Sequence, residues 1–450
     1  MKRFWLLALL MAGSLAMALV SPVFAAKMSS EDGGSDSSDT MEDVNSALGS
    51  MSAKINEMDK QLGLKFFGDI RLRYAFATQS VSSTTKQSQA NGGQNTIFDQ
   101  GRGRYRARIG AMKTMGDVTG GLRLSTGATN NPNSENNTFD TGFTNPAINI
   151  DTAYLAYTPS WLEGHLKLQA GKFNNPLTKT PITWDPDIQP EGALVEISKD
   201  DFKARATYFD LINQAGKYYS DEYMANFQLE QNVKIDNDTA VGLMVGYEYI
   251  PYTQILENGS GAVTTTGLST GVVLATGPLA AGNVNDPNNG GGIRDFQVGE
   301  AMLTFKHKVG DVPFKWTLHV TDNFDGGNLP VAPSGAVTGY TNFSNQYAEW
   351  LGVEMGAMAK GGFTGSLAVA QLDPNCQLAN LTDDDPGNTN RQYAVGVLNY
   401  GLEDNVVLTY KQFVIYHEYY AYLPASGNLS LGGTSNQPEF ITFLDAMASF

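Results

Sequence analysis

The sequence predicts an all-β fold, a transmembrane antiparallel β-barrel of about sixteen strands preceded by a short N-terminal coiled-coil helix. Three observations predict it. Gly101 to Ala111 reads GRGRYRARIGA and sets Arg102, Arg104, Arg106 and Arg108 at every second position. Side chains of a strand alternate between faces, so this ribbon has one guanidinium face and one face of Tyr105, Ala107, Ile109 and Ala111. A soluble sandwich offers the apolar face its core, whereas a membrane barrel offers it lipid and gives the arginines a wet lumen. Second, alternating stretches are joined in turn by short turns and long polar loops, the asymmetry of outer-membrane barrels. Third, Phe440, Thr442, Leu444, Ala446, Ala448 and Phe450 share one face of a last strand that ends the chain.

Composition agrees. The 450 residues carry a net charge of -16, with 48 glycines, 20 tyrosines and 22 phenylalanines, as suits a β-rich chain with many turns. An acidic balance argues against nucleic acid as a partner, because phosphate binding needs clustered Lys and Arg on an accessible face. Cys376 is the single cysteine, so no intrachain disulfide forms, and its polar setting reads as an incidental loop thiol. His165, His307, His319 and His417 have no ligand spacing between them, so neither metal nor cofactor is expected.

In chain order, Lys2 and Arg3 precede an apolar run from Phe4 to Val20, then Ser21, Pro22 and Val23-Phe-Ala. This is a signal peptide over residues 1–25, cut after Ala25 for export to the outer membrane, with an uncleaved anchor as the alternative. Residues 26–40 form a polar linker. In 41–62, Met41, Val44, Leu48, Met51, Ile55, Met58 and Leu62 recur at three and four. The seam is either a periplasmic coiled coil joining copies, with a homotrimer expected, or one helix packed on its own domain.

The barrel occupies 63–450. In its first strand Phe66, Ile70, Leu72, Tyr74 and Phe76 share one face, and Lys65, Asp69, Arg71 and Arg73 the other. Arg71, Arg73, Arg102, Arg104, Arg106 and Arg108 are therefore the expected pore-lining residues. Short turns are expected at Met115-Gly-Asp, Ser160 to Gly164, Lys199-Asp-Asp, Asp236-Asn-Asp, Val309-Gly-Asp, Lys360-Gly-Gly and Glu403-Asp-Asn. Long Gly, Asn, Thr and Pro segments lie between them, the longest from Pro251 to Arg294.

Particular stretches carry a resemblance. Gly68-Asp-Ile-Arg-Leu-Arg-Tyr, Asp151-Thr-Ala-Tyr-Leu-Ala-Tyr-Thr-Pro, Leu168-Gln-Ala-Gly-Lys-Phe and Thr183-Trp-Asp-Pro-Asp-Ile-Gln-Pro-Glu-Gly resemble the bacterial "putative porin" family. That resemblance implies a pore without naming its solute. The terminal Phe450 resembles the signal that outer-membrane barrels present to their assembly machinery.

Asn174 to Pro190 follows the fifth expected strand and is the third long loop, which in general porins folds into the barrel. As a constriction it presents Trp184, Asp185, Asp187 and Glu191 toward the arginine wall, and the opposed charges order dipolar or charged solutes. Alternatively it is only a turn shaped by Pro186 and Pro190, with Trp184 in the interfacial aromatic belt. Three functions follow: a passive channel for small hydrophilic solutes or ions, a structural barrel tethered through its helix, and a barrel-embedded hydrolase. The scattered histidines set no base beside a nucleophile, which argues against the last, and the run Asp383-Asp384-Asp385 reads as a solvated or calcium-decorated surface.

Overall fold

A computed structural model describes residues 63–80, 97–127, 133–139, 145–212, 222–251, 296–324, 346–373, 376–378, 381–386, 389, 391–417, 421–422, 430–431 and 438–450. The expected signal peptide, linker and heptad helix lie outside the described residues.

The wall begins with β1 (Lys65–Ser80), β2 (Ile97–Met115), β3 (Val118–Thr126), β4 (Ile148–Tyr157) and β5 (Leu166–Lys172). It continues with β6 (Glu191–Lys199), β7 (Phe202–Ile212), β8 (Glu222–Lys234), β9 (Ala240–Ile250), β10 (Phe296–Val309) and β11 (Val312–Asn323). The last five are β12 (Tyr347–Met355), β13 (Phe363–Leu372), β14 (Arg391–Glu403), β15 (Val406–His417) and β16 (Glu439–Ser449). Each strand pairs antiparallel with the next, and β16 returns to β1, with Asp69 opposite Ser449 and Thr78 opposite Phe440. Among the described residues the closed sheet has 17 strands, one of them the two-residue bridge Asn137–Thr138 beside β2, so sixteen make the wall. Closure leaves no open edge, which a membrane demands of a sheet.

All seven expected short turns join strands at one rim. Gly116 and Gly310 sit at φ +61 in two-residue turns, the left-handed conformation that a tight hairpin needs and a side chain resists. The seam between first and last strands depends on another glycine. Gly68 exchanges both backbone hydrogen bonds with Phe450, each 3.0 Å, and a Cβ at Gly68 would stand 2.6 Å from the Phe450 ring. The terminal aromatic thus closes the barrel against β1.

The barrel is inverted relative to a soluble protein. On β1 the outward Ile70, Leu72 and Tyr74 are 48%, 53% and 51% exposed, while inward Asp69 and Arg73 are 7% and 8%. This is the alternation expected of lipid outside and lumen inside. The apolar cores lie within the lumen, where loops pack on the inner wall. One gathers Phe173, Leu177, Trp184, Ile188, Leu378 and Leu381 against Leu194, Phe209 and Met224. The other seats Ile182 and Cys376 against Ala370, Leu372, Tyr393, Phe413 and Phe443.

Two expectations are corrected here. Cys376 is not an incidental thiol on a polar loop: it is fully buried, because the loop after β13 turns into the barrel. The Asp383-Asp384-Asp385 run belongs to that same loop: Asp383 is buried and Asp385 half-buried against Lys411, while Asp384 keeps an exposed face.

Candidate functional site

The site grows from register. Pairing of β1 with β2 sets Arg71 opposite Arg106, Arg73 opposite Arg104 and Asp69 opposite Arg108. Like charges directly across a ladder repel, so carboxylates must compensate. Arg106 donates Nε and Nη2 to Asp69 Oδ1 at 3.2 and 3.0 Å, and Arg108 donates Nε to Asp69 Oδ2 at 2.7 Å. Arg73 makes a two-pronged contact with Asp445 of β16, at 2.8 and 2.9 Å. Arg102 lies on the same inward face and is exposed.

Three loops close on this wall. From the segment after β3, Glu135 Oε2 accepts from Arg108 Nη1 at 3.2 Å, Asn136 Oδ1 from Arg71 Nη2 at 2.8 Å and Ser134 Oγ from Arg104 Nη2 at 2.9 Å. Residues 173–190, between β5 and β6, make the second. Asp187 Oδ1 there accepts from Arg106 Nη1 at 3.3 Å. The third is the loop after β13, whose Asp385 lies 3.6 Å from Arg73 Nη1 and accepts from Lys411 Nζ at 3.0 Å.

The second loop crosses the lumen. Near its start Lys179 Nζ donates to Glu248 of β9 and Glu300 of β10, each at 3.2 Å. Thr180 Oγ1 lies 2.8 Å from His319 Nδ1, whose Nε2 is 3.2 Å from Glu300. Thr178 bonds Gln228 through its backbone N–H and Glu230 through its hydroxyl, both at 2.8 Å. Burial pushes the Lys179 ammonium down in pKa, but the two carboxylates outweigh it and hold it raised. Trp184 then packs on Phe209 and donates Nε1 to Ile188 O at 3.1 Å, so it is loop core and not part of an outer aromatic belt.

The second and third loops lock together. Asp185 N–H donates to Leu381 O at 2.6 Å and Asp383 N–H to Pro181 O at 3.0 Å. Asp185, Asp383 and Asp384 bring one carboxylate oxygen each within 4.8 Å of one another. Burial first, then the repulsion of Asp383 and Asp384, pushes Asp185 up to about 9; Asp384, exposed beside the other two, is raised too. Carboxylates so placed share protons or receive a hard divalent cation. Asp385 is the exception: Lys411 and Arg73 outweigh its burial and hold it low, at about 2.

The structure brings Arg71, Arg73, Arg104, Arg106, Arg108, Asp185 and Asp187 into one polar band with Trp184 packed behind it. Glu191 does not join. It opens β6 on the outward face, pairs with Lys172 at 3.0 Å and keeps a 63% exposed side chain. The expected constriction therefore loses Glu191, because strand alternation starts one residue after the loop ends. Sequence reasoning missed the third loop and the Lys179 anchor. Apolar Leu378 and Leu381 inside a polar loop were the signal for the former.

Residues 59–255 match the family described as "Putative porin". Comparison with curated proteins gave no match. Among solved structures, Pseudomonas putida OprB is 11% identical with a TM-score of 0.49, covering 88% of this chain and 96% of that one. Salmonella typhi OmpF, in complex with daunomycin, is 12% identical with a TM-score of 0.45, over 86% and 97%. A mutant porin of Rh. blastica is 11% identical with a TM-score of 0.43, over 86% and 100%. The barrel assignment rests on this chain's own strand pairing. Over 59–255, the stretch that holds both the arginine wall and the loop crossing the lumen, the chain matches the "Putative porin" family.

Proposed function

We propose that the chain forms a passive outer-membrane channel for small hydrophilic solutes or ions, with selectivity set where the lumen loops meet the arginine wall. The single observation carrying this is the inward band of charge in a closed barrel whose outer face is apolar. Lipid-facing charge costs roughly 2 to 4 kcal/mol at mid-bilayer, so arginines this numerous belong to the wet side. The pore-lining set is Arg71, Arg73, Arg102, Arg104, Arg106 and Arg108, and the constriction set is Trp184, Asp185 and Asp187. The mature chain follows cleavage after Ala25, assembles as a homotrimer through 41–62, and reaches the barrel assembly machinery through Phe450.

A catalytic reading must account for Thr180, His319 and Glu300, which stand within hydrogen-bond reach in sequence. The side chains of His319 and Glu300 are 0% and 3% exposed, and Glu300 is also held by Lys179. No solute reaches that imidazole. The constellation fastens the loop.

Detergent extraction from outer membranes, heat-modifiable mobility on gels and ohmic steps in a planar bilayer are the expected results. Recovery as a detergent-free soluble monomer would refute the barrel.

A further inference from the structure

The six wall arginines are not equivalent. Arg73, Arg106 and Arg108 each touch at least one carboxylate, and Asp69, Asp187, Asp385, Asp445 and Glu135 are all engaged with them. Arg71 and Arg104 touch none among the described residues. Each gives one Nη2 to a neutral oxygen, of Asn136 and Ser134 respectively. The Nε of each is shielded from water and has no hydrogen-bond partner, although both residues keep part of their surface in the lumen.

These two side chains converge. Asn136 Nδ2 donates to Ser134 Oγ at 3.2 Å, so the two acceptors that hold the guanidinium groups are themselves joined. Arg71 and Arg104 come from adjacent strands and stand on a diagonal of the inward face, two register positions apart. Their charge survives the local compensation, because Asp385 is shared with Lys411 and burial works against ionisation of Glu135. Two guanidinium groups held by joined acceptors, with no carboxylate of their own, suit a carboxylate or phosphate group that accepts from the remaining Nη donors.

We propose that Arg71 and Arg104, with Ser134 and Asn136 as positioning residues, form a binding subsite in the channel for a small oxyanion. The inference rests on the channel reading and names the class of solute that the channel favours. Arg73, Arg106 and Arg108 serve to hold the wall and its loops. An anion captured here leaves easily toward the lumen, since both side chains are reachable from water, and that suits passage better than retention.

The test is inhibition of chloride current in planar bilayers containing the full mature chain, titrated with inorganic phosphate in one series and acetate in another. Wild-type current should fall saturably with at least one of them, and which series saturates at lower concentration tells phosphate from carboxylate. Arg71→Gln with Arg104→Gln should raise the half-saturating concentration at least tenfold. Lys172→Gln, which removes a positive charge on the outward face, should leave it unchanged. Arg71→Lys with Arg104→Lys keeps the charge but loses the forks, and should recover only part of the affinity. Linear current at every phosphate and acetate concentration, or equal inhibition of wild type and the double Gln variant, overturns the subsite while leaving the channel intact. Absence of any conductance in wild type removes the channel reading itself.

Discussion

Two regions of the lumen use the same residue types to opposite ends. Around Lys179, cation and carboxylates are almost wholly enclosed, with side-chain exposures of 6% for Lys179, 1% for Glu248 and 3% for Glu300. Around Arg71 and Arg104 the cations keep water contact and lack a carboxylate. Enclosed charge holds its geometry, because removing either partner strands the other in a low-dielectric setting. Half-open charge acts on whatever passes, and that action is screened by salt. The difference teaches that position along the loop matters more than residue type. The loop is anchored at 178–180 and meets the arginine wall at Asp187.

The largest effect should come from breaking the anchor. Lys179→Met leaves Glu248 and Glu300 uncompensated, a loss of about 3 to 5 kcal/mol for a buried pair. The loop should detach while the barrel persists. Proteolysis within 174–190 should become fast, and conductance should rise and grow noisy. If proteolysis and conductance stay as in wild type, the anchor and the wall are not separable as drawn.

Asp185→Asn with Asp187→Asn sharpens the other side. Asp185, held up to about 9, is already uncharged near pH 7, so the change acts through Asp187, which faces Arg106, and the reversal potential in a salt gradient should move toward anions. The shift should shrink as salt rises.

A pH series separates the two regions further. Asp185, Asp383 and Asp384 are held above the ordinary 3.8, at about 9, 6 and 7. An undocked loop ionises near 3.8, whereas the docked one resists, so docking is strongest below about pH 4 and weakens as pH rises toward 9. Asp385, held low, and Lys179, held high, change little across that window. Open-channel noise should therefore grow from pH 5 to pH 9, and Asp383→Asn with Asp384→Asn should flatten the trend. Noise that falls with rising pH contradicts the carboxylate contact.

The smallest effect belongs to Glu191→Gln. Because this side chain faces outward, reversal potential should stay within experimental error of wild type.

Much of this was legible in the sequence, for local reasons. Period-two alternation fixed the inward face of β1 and β2, and turns such as Gly116-Asp117 and Gly310-Asp311 announced themselves by residue type. The loop at 173–190 was legible through strand counting and the family resemblance. The rest was hidden because it depends on contacts distant in the chain. Nothing near Asp385 in sequence reveals Arg73 or Lys411, so an acidic run looks solvated. Lys179 gives no local sign that Glu248 and Glu300 will enclose it. Glu191 was misplaced by a single residue, and one residue in a strand is a change of face.

The most direct test of the central claim is the reversal potential across a planar bilayer under a salt gradient, for wild type and for Arg104→Ser with Arg106→Ser. Wild type should open in discrete ohmic steps, and the double variant should shift toward cations by an amount that diminishes in high salt. Steps of unaltered reversal potential in the double variant would mean that the arginine wall does not line the conducting path.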